Sequence, residues 1–322
     1  MGFHTMVKGK VLVTGASGFI GQELVPHLMA AGYQVTGASR SSASPATLPI
    51  ETIPLPSPAA PDDDFARLLA GFDHVVHLAA IAHTRLPEAA QLYHDVNCVL
   101  AAKLAKAADQ AISGKLVFLS SIRAQSGATQ EGLVTELSPP RPSDDYGRAK
   151  LAAEAEIAAA MPRRNFTILR PVLVYGPGVK GNMAALIRLA ARKIPLPLQS
   201  LTGQRSVLDR SALCRAILHS LCSTNTDGGI YIVADKSPMT AAAIVTAIRH
   251  GLGRDAGLVS IPAGLLHLAA AMTGQQQRWQ TLNGNLVASA ALLESTGWEP
   301  TVDSGLRIAQ SVLPASRASA RD

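Results

Sequence analysis

Tyr146-Gly147-Arg148-Ala149-Lys150 sets a phenol and an ammonium four residues apart, on one face of a helix. Upstream, Ser120-Ser121 closes an apolar run, Lys115–Ser120, with the composition of a buried strand. A serine, a tyrosine and a lysine converging at a strand end suit the interconversion of an alcohol and a ketone. A free phenol has a pKa of about 10 and is a poor base at neutral pH. A neighbouring ammonium and an oxidised nicotinamide both favour the phenolate and lower that value. The lysine can also hold the nicotinamide ribose, and the serine hydroxyl can hydrogen-bond the reacting oxygen. A Tyr-x-x-x-Lys spacing is common by chance on helix surfaces, so its weight depends on what must position it.

That positioning element stands at the other end of the chain. Val11-Leu12-Val13-Thr14-Gly15-Ala16-Ser17-Gly18-Phe19-Ile20-Gly21 is an apolar, partly β-branched run that stops at a glycine, with two more glycines at three-residue steps. The pattern reads as a buried parallel strand, a tight turn and the first turn of a helix over Gln22–Ala31. Gly15 allows the turn, Gly18 lets a diphosphate approach the backbone, and Gly21 lets the helix pack closely on its strand. Free N–H groups and the positive end of the helix dipole then face that anion. The loop predicts a dinucleotide site.

The composition agrees with an enzyme of this kind and excludes others. In 322 residues, 48% are hydrophobic and 16% charged, which describes a core-rich globular chain with little disorder. The formal net charge is +6, but no Lys/Arg run exceeds Arg163-Arg164, and aromatic residues reach only 4%. A basic surface that attracts anionic ligands follows, and a nucleic-acid groove or base-stacking platform does not. Cys98, Cys214 and Cys222 have no metal-ligand spacing and are odd in number, so they read as small buried thiols in a reducing compartment. His74, His77, His83 and His94 follow no metal pattern, and no metal is expected. The N-terminus lacks a signal-peptide core and the serine or threonine that myristoylation needs. The longest apolar segment, Gly257–Met272, contains Pro262 and His267 and is too short to span a bilayer. A cytoplasmic protein without stable membrane insertion is expected.

Along the chain, strands are expected at Gln34–Ala38, Ile50–Ile53, His74–Leu78 and Phe166–Leu169, besides the two already placed. Between them fall helices starting at an Asp62–Asp64 cap, over Glu88–Ala111 and over Asp144–Ala160. The alternation predicts an α/β, Rossmann-type doubly wound parallel sheet over residues 1–175. Beyond Pro171, Gly- and Pro-rich loops loosen the rhythm, and Gly229–Val233 reads as a late strand of the same sheet. Residues 176–322 otherwise form a smaller, interleaved C-terminal substrate-binding lobe over the strand ends.

The chain resembles the extended short-chain dehydrogenases/reductases. More narrowly, it is similar to the NAD-dependent epimerase/dehydratase family and its UDP-glucose 4-epimerase-like branch. The residues that carry the likeness are TGASGFIG, His77-Leu78-Ala79-Ala80, Ser120-Ser121, Tyr146…Lys150 and Leu169-Arg170-Pro171…Tyr175-Gly176-Pro177-Gly178. Gly181-Asn182, Pro195-Leu196-Pro197, Arg205-Ser206 and Gly297-Trp298-Glu299-Pro300 extend it over nearly the whole chain. The resemblance implies that Gly15, Ser17, Gly18, Phe19, Ile20 and Gly21 hold the pyrophosphate, with Ser39, Arg40, Leu78, Ala79, Ala80 and Pro171 along the cofactor groove. It makes Ser121 the catalytic serine, Tyr146 the base or acid and Lys150 its partner. Asn182 matches a contact to a nucleotide-sugar substrate, and Arg205 the arginine that meets its diphosphate, where a forked guanidinium fits. The second phosphate arginine that the family places near Leu282 is missing at that position; Arg278 stands close by and reads equally as a substrate contact or a surface charge. A homodimer built from the Glu88–Ala111 and Asp144–Ala160 helices is also implied.

Two departures bear on the reaction. NAD enzymes usually carry an acidic residue at the end of the second strand, and this chain has Ser39-Arg40, which suits a 2′-phosphate and leans to NADP against the family's NAD. Arg123 replaces the family's frequent threonine two residues beyond the serine. The resemblance implies a UDP-hexose or N-acetylhexosamine 4-epimerase that passes through a 4-keto sugar. The alternatives are an NADPH-dependent reductase of a 4-keto nucleotide sugar and a non-catalytic nucleotide sensor. The intact Ser121, Tyr146 and Lys150 argue against the last.

Overall fold

A computed structural model describes residues 8–40, 48–82 and 89–313. The first half runs β1 (Gly9–Thr14), α1 (Gly21–Ala30), β2 (Tyr33–Ser39), β3 (Thr52–Pro54), α2 (Asp62–Leu69) and β4 (His74–His77). It continues with α3 (Ala89–Tyr93), α4 (Leu100–Ala111), β5 (Leu116–Leu119), β6 (Leu133–Val134), α5 (Asp145–Ala160) and β7 (Phe166–Pro171). Then come β8 (Leu173–Tyr175), α6 (Gly181–Ala190), β9 (Gln204–Arg205), β10 (Val207–Asp209), α7 (Arg210–Cys222) and β11 (Gly229–Val233). The chain closes with β12 (Met239–Thr240), α8 (Ala241–Gly251), α9 (Ala263–Met272), α10 (Gln276–Asn283), β13 (Val287–Ala288), α11 (Ala291–Glu294) and α12 (Ser304–Ser311).

Seven strands form one parallel sheet in the order β11-β7-β5-β4-β1-β2-β3. Strand side chains alternate between faces, and here both faces are dry. Val11, Val13, Val76 and Val117 join one core with Leu24 and Leu28 of α1 and Leu213 and Ile217 of α7. Leu12, Val75, Leu116 and Phe118 join the other with Phe65 of α2, Leu104 of α4 and Ile157 of α5. The sheet is doubly wound, as its alternating pattern predicts. A third core, with Tyr175, Met183, Leu196, Leu201, Ile244 and Ile248, builds the smaller lobe from α6, α8 and their loops.

Some elements differ from expectation. The third strand lies at Thr52–Pro54, where it pairs only with the last residues of β2. Asp62–Asp64 fill the first turn of α2 and Pro61 takes the cap position, so the carboxylates meet the helix dipole directly. The expected Glu88–Ala111 helix is broken by a π-helical turn at His94–Val99, which seats the buried Asn97 against the loop after β4. Its Nδ2 donates to the Ile81 carbonyl and its Oδ1 accepts from the Ile81 N–H, both at 2.9 Å. His83 and Glu88 lie outside the described residues. Cys98 and Cys214 are buried, but Cys222 is exposed because it ends α7, where the helix meets solvent. No described helix is long and apolar enough to cross a membrane.

Candidate active site

The glycine loop joins β1 to α1 at the carboxyl edge of the sheet. Gly15 has φ +73°, and a Cβ there would lie 2.8 Å from the Ala79 nitrogen, so only glycine lets the loop after β4 come this close. A Cβ at Gly21 would lie 2.5 Å from the carbonyl oxygens of Gly15 and Ala16. Gly18 and Ser17 are exposed, and Ile20 at the start of α1 gives no side-chain cap. An open loop over an uncapped helix N-terminus fits the pyrophosphate of a dinucleotide. Phe19 is pinned from behind by Arg210, whose guanidinium lies 4.8 Å from the ring centre and donates to the carbonyls of Phe19 (3.2 Å) and Pro177 (2.8 Å).

Thr14 and His77 tie the two strand ends together. The Ala79 N–H donates to Thr14 Oγ1 (3.1 Å), and Thr14 Oγ1 lies 2.7 Å from His77 Nδ1. With its oxygen accepting from Ala79, Thr14 has its own hydrogen free to give to Nδ1. Burial pushes the His77 pKa down to about 3, so the ring is neutral. Leu78 and Ala79 are half-buried and Ala80 is exposed along the groove, while Pro171 is buried at the end of β7. Ser39 is half-buried at the end of β2, with Arg40 exposed beyond it.

The expected serine, tyrosine and lysine meet. Ser121 follows β5, and its Oγ accepts from the Arg123 N–H at 3.2 Å. Tyr146 sits in the first turn of α5, just after Asp144 caps the helix by accepting from the Gly147 N–H at 2.7 Å. The tyrosine hydroxyl is hydrogen-bonded to Ser121, and burial pushes its pKa up to about 12 against that bond. Its ring meets Tyr93 edge-on at 5.9 Å. One turn along, Lys150 is 2% exposed, and its ammonium donates to the Leu119 carbonyl at 2.7 Å and lies 4.4 Å from the Phe118 ring centre. Burial pushes its pKa down to about 7, with the Glu154 carboxylate pulling the other way. A Cβ at Gly147 would strike the Arg123 carbonyl at 2.3 Å, so the residue after the tyrosine lets α5 sit against the turn after Ser121.

Beneath this cluster lies a buried network that the motif reading passes over. Glu154 and Arg170 form an ion pair with side chains 2% and 5% exposed. Glu154 also accepts from Ser120, and Arg170 donates to Gln125, whose amide spans the carbonyls of Thr135 and Ser138. A signal was present: Tyr146, Lys150 and Glu154 stand at four-residue steps, one stripe of a helix.

Arg205 in β9 donates to the Ala128 carbonyl at 3.1 Å, and its Nε is buried without a partner among the described residues. Burial and the neighbouring Arg123 hold its pKa below the usual arginine value. Arg123 itself is ion-paired with Asp144. Asn182 stands exposed in the first turn of α6. The Arg278 side chain lies outside the described residues. Glu23, His27 and Cys214 bring potential ligand atoms within 4.8 Å of one another, but the Glu23 carboxylate is engaged by Arg210.

A glycine loop after β1 of a parallel sheet, with a Ser–Tyr–Lys group at the end of β5 two strands away, defines a dinucleotide-dependent enzyme. The model of the NAD dependent epimerase/dehydratase family matches residues 11–234, and the chain belongs to that family. It is 30% identical over 319 residues to a UDP-glucose 4-epimerase of Vibrio cholerae, covering 95% of this chain and 96% of that one. It is 28% identical over 314 residues to a dTDP-6-deoxy-L-talose 4-dehydrogenase (NAD(P)(+)) of Kitasatospora kifunensis, covering 92% of each. Among solved structures it is similar to MoeE5 in complex with UDP-glucuronic acid and NAD, with a TM-score of 0.73, 25% identity and coverage of 94% and 98%.

Proposed function

We propose that the chain is a nucleotide-sugar 4-epimerase working through a transient 4-keto sugar. The observation that carries this reading is the Ser121–Tyr146 hydrogen bond with buried Lys150 one turn below, at the end of β5, two strands from the glycine loop in the same sheet. Near full-length similarity to a UDP-glucose 4-epimerase supports it. Gly15, Ser17, Gly18, Phe19, Ile20 and Gly21 would hold the pyrophosphate of the dinucleotide, and Ser39, Arg40, Leu78, Ala79, Ala80 and Pro171 would line the rest of its site. When bound, its nicotinamide accepts and returns a hydride.

Tyr146 takes the proton of the sugar 4-hydroxyl as the C4–H bond breaks and C4 becomes a ketone. Ser121 donates a hydrogen bond to that oxygen throughout. After the ketone turns over, Tyr146 returns the proton and C4 is reduced on its opposite face, so no atom is gained or lost. Burial keeps the phenol protonated in the free chain, while the Ser121 hydrogen bond and the positive charge of Arg123 pull towards its ionised form. Arg205, with its unpartnered Nε, takes the substrate diphosphate. Asn182 and Arg278 are assigned to the same ligand.

A second reading uses the same residues in one direction, with Tyr146 donating a proton to a 4-keto nucleotide sugar while NADPH is consumed. Arg40, where NAD enzymes usually place a carboxylate, favours it. Unfolding the purified protein and identifying the released nucleotide separates the two. Stoichiometric NAD is expected for the epimerase. An empty site that binds NADPH reversibly would transfer the assignment to the reductase, and a chain that binds neither would end both.

A further inference from the structure

The small lobe carries an apolar face that its own core does not use. α9 holds Ala263-Gly264-Leu265-Leu266-His267-Leu268-Ala269-Ala270-Ala271-Met272, without a carboxylate, lysine or arginine. On its inner side, Leu266 packs on the third core with Trp279 and Leu282. On its outer side, Leu265, Leu268 and Met272 stand at steps of three and four residues and are 60%, 57% and 81% exposed. A helix apolar all round is normally covered all round. Val259 and Ile194 are exposed as well, on segments that pair through Leu196 and Leu258. Exposed large apolar side chains of this kind mark a membrane or protein contact.

A cationic edge adjoins it. Arg188, Arg192 and Lys193 are exposed at the end of α6 and in the turn before Ile194. The buried Arg249 clamps this turn to the segment leading into α9, donating to the carbonyls of Arg192 (3.2 Å), Ile194 (2.7 Å), Ala256 (2.7 Å) and Gly257 (2.9 Å). The cationic turn is thereby tied to the segment that precedes α9. Asp255 is the single carboxylate in residues 186–200 and 252–275. A second copy packed here about a two-fold axis would bring like charges together.

We propose that this face docks on an anionic membrane surface, with Leu265, Leu268 and Met272 at the headgroup–acyl boundary and Arg188, Arg192 and Lys193 against lipid phosphates. α10 runs from the docked helix to Asn283, and Asn285 Oδ1 then accepts from the Gln204 N–H at 2.9 Å, next to Arg205. Where Arg205 binds a diphosphate, as proposed above, docking holds that side of the site at the lipid surface.

The test is sedimentation of the full chain with vesicles of phosphatidylcholine, alone or mixed with phosphatidylglycerol. Binding is expected only to the mixed vesicles, weakened by salt. Leu265→Glu/Leu268→Glu and Arg192→Glu/Lys193→Glu should each lower the partition coefficient about tenfold or more, with thermal midpoints unchanged. The released-nucleotide test does not involve these residues, so the two ideas can fail separately. Wild-type protein that stays in the supernatant, or a leucine variant that sediments like wild type, would overturn the proposal. So would a leucine variant that turns a dimer into a monomer while the wild type ignores vesicles, which would give the face to a second copy.

Discussion

Glu154→Gln tests whether the buried ion pair under the site is as tightly held as its geometry shows. The substitution keeps the shape and removes the charge, leaving Arg170, 5% exposed along its side chain, without a counter-ion. Removing one partner of a buried pair costs about 3–5 kcal/mol, because the remaining charge stays desolvated. At about 2.1 cal/mol/K per residue, 322 residues give an unfolding entropy of about 0.7 kcal/mol/K. The melting midpoint should then fall by about 4–7 °C, measured by circular dichroism and calorimetry at neutral pH. Adding Arg170→Met removes the stranded charge, and the double variant should recover at least half of the loss. A midpoint within about 1 °C of wild type, or a double variant whose loss is the sum of the two single losses, would refute the reasoning.

Lys150→Met should move stability and turnover in opposite directions. The Lys150 pKa is depressed to about 7 in the fold from an ordinary 10.5, so the unfolded chain holds the extra proton between those values. Wild-type stability relative to the methionine variant must rise with pH across that window. Thermal scans should show the variant's advantage largest below pH about 7 and shrinking as pH rises, with turnover down about 10²–10⁴-fold. A variant less stable than wild type at pH about 6 contradicts the sign. Gly21→Ala places a Cβ 2.5 Å from two carbonyl oxygens of the loop, so dinucleotide affinity, read by fluorescence titration, should fall before the melting midpoint does. Unchanged affinity would remove the loop from the binding site.

The sheet and the glycine loop were legible in the sequence because their causes are local. Gly15 and Gly21 mark places where a side chain has no room, and the run at Val11–Val13 has the composition of a strand dry on both faces. Tyr146 and Lys150 were legible for the same reason, being one helical turn apart. The partners of Arg170 are the opposite case: Glu154 and Gln125 lie 16 and 45 residues away, and nothing in a linear pattern pairs them. The π-turn at His94–Val99 interrupts a stretch with no glycine or proline to announce it, and only the backbone of Ile81 explains it. In α9 an all-apolar stretch carries no mark of which side is covered, and the structure leaves Leu265, Leu268 and Met272 exposed.

The central claim is tested most directly by incubating the purified chain with UDP-glucose and following the sugar by proton NMR without added reductant. Formation of the 4-epimer without net change in nicotinamide absorbance is expected, lost in Tyr146→Phe by about 10²-fold or more. Wild type that leaves C4 unchanged in UDP-glucose and in UDP-N-acetylglucosamine, or Tyr146→Phe that epimerises as wild type does, would contradict it.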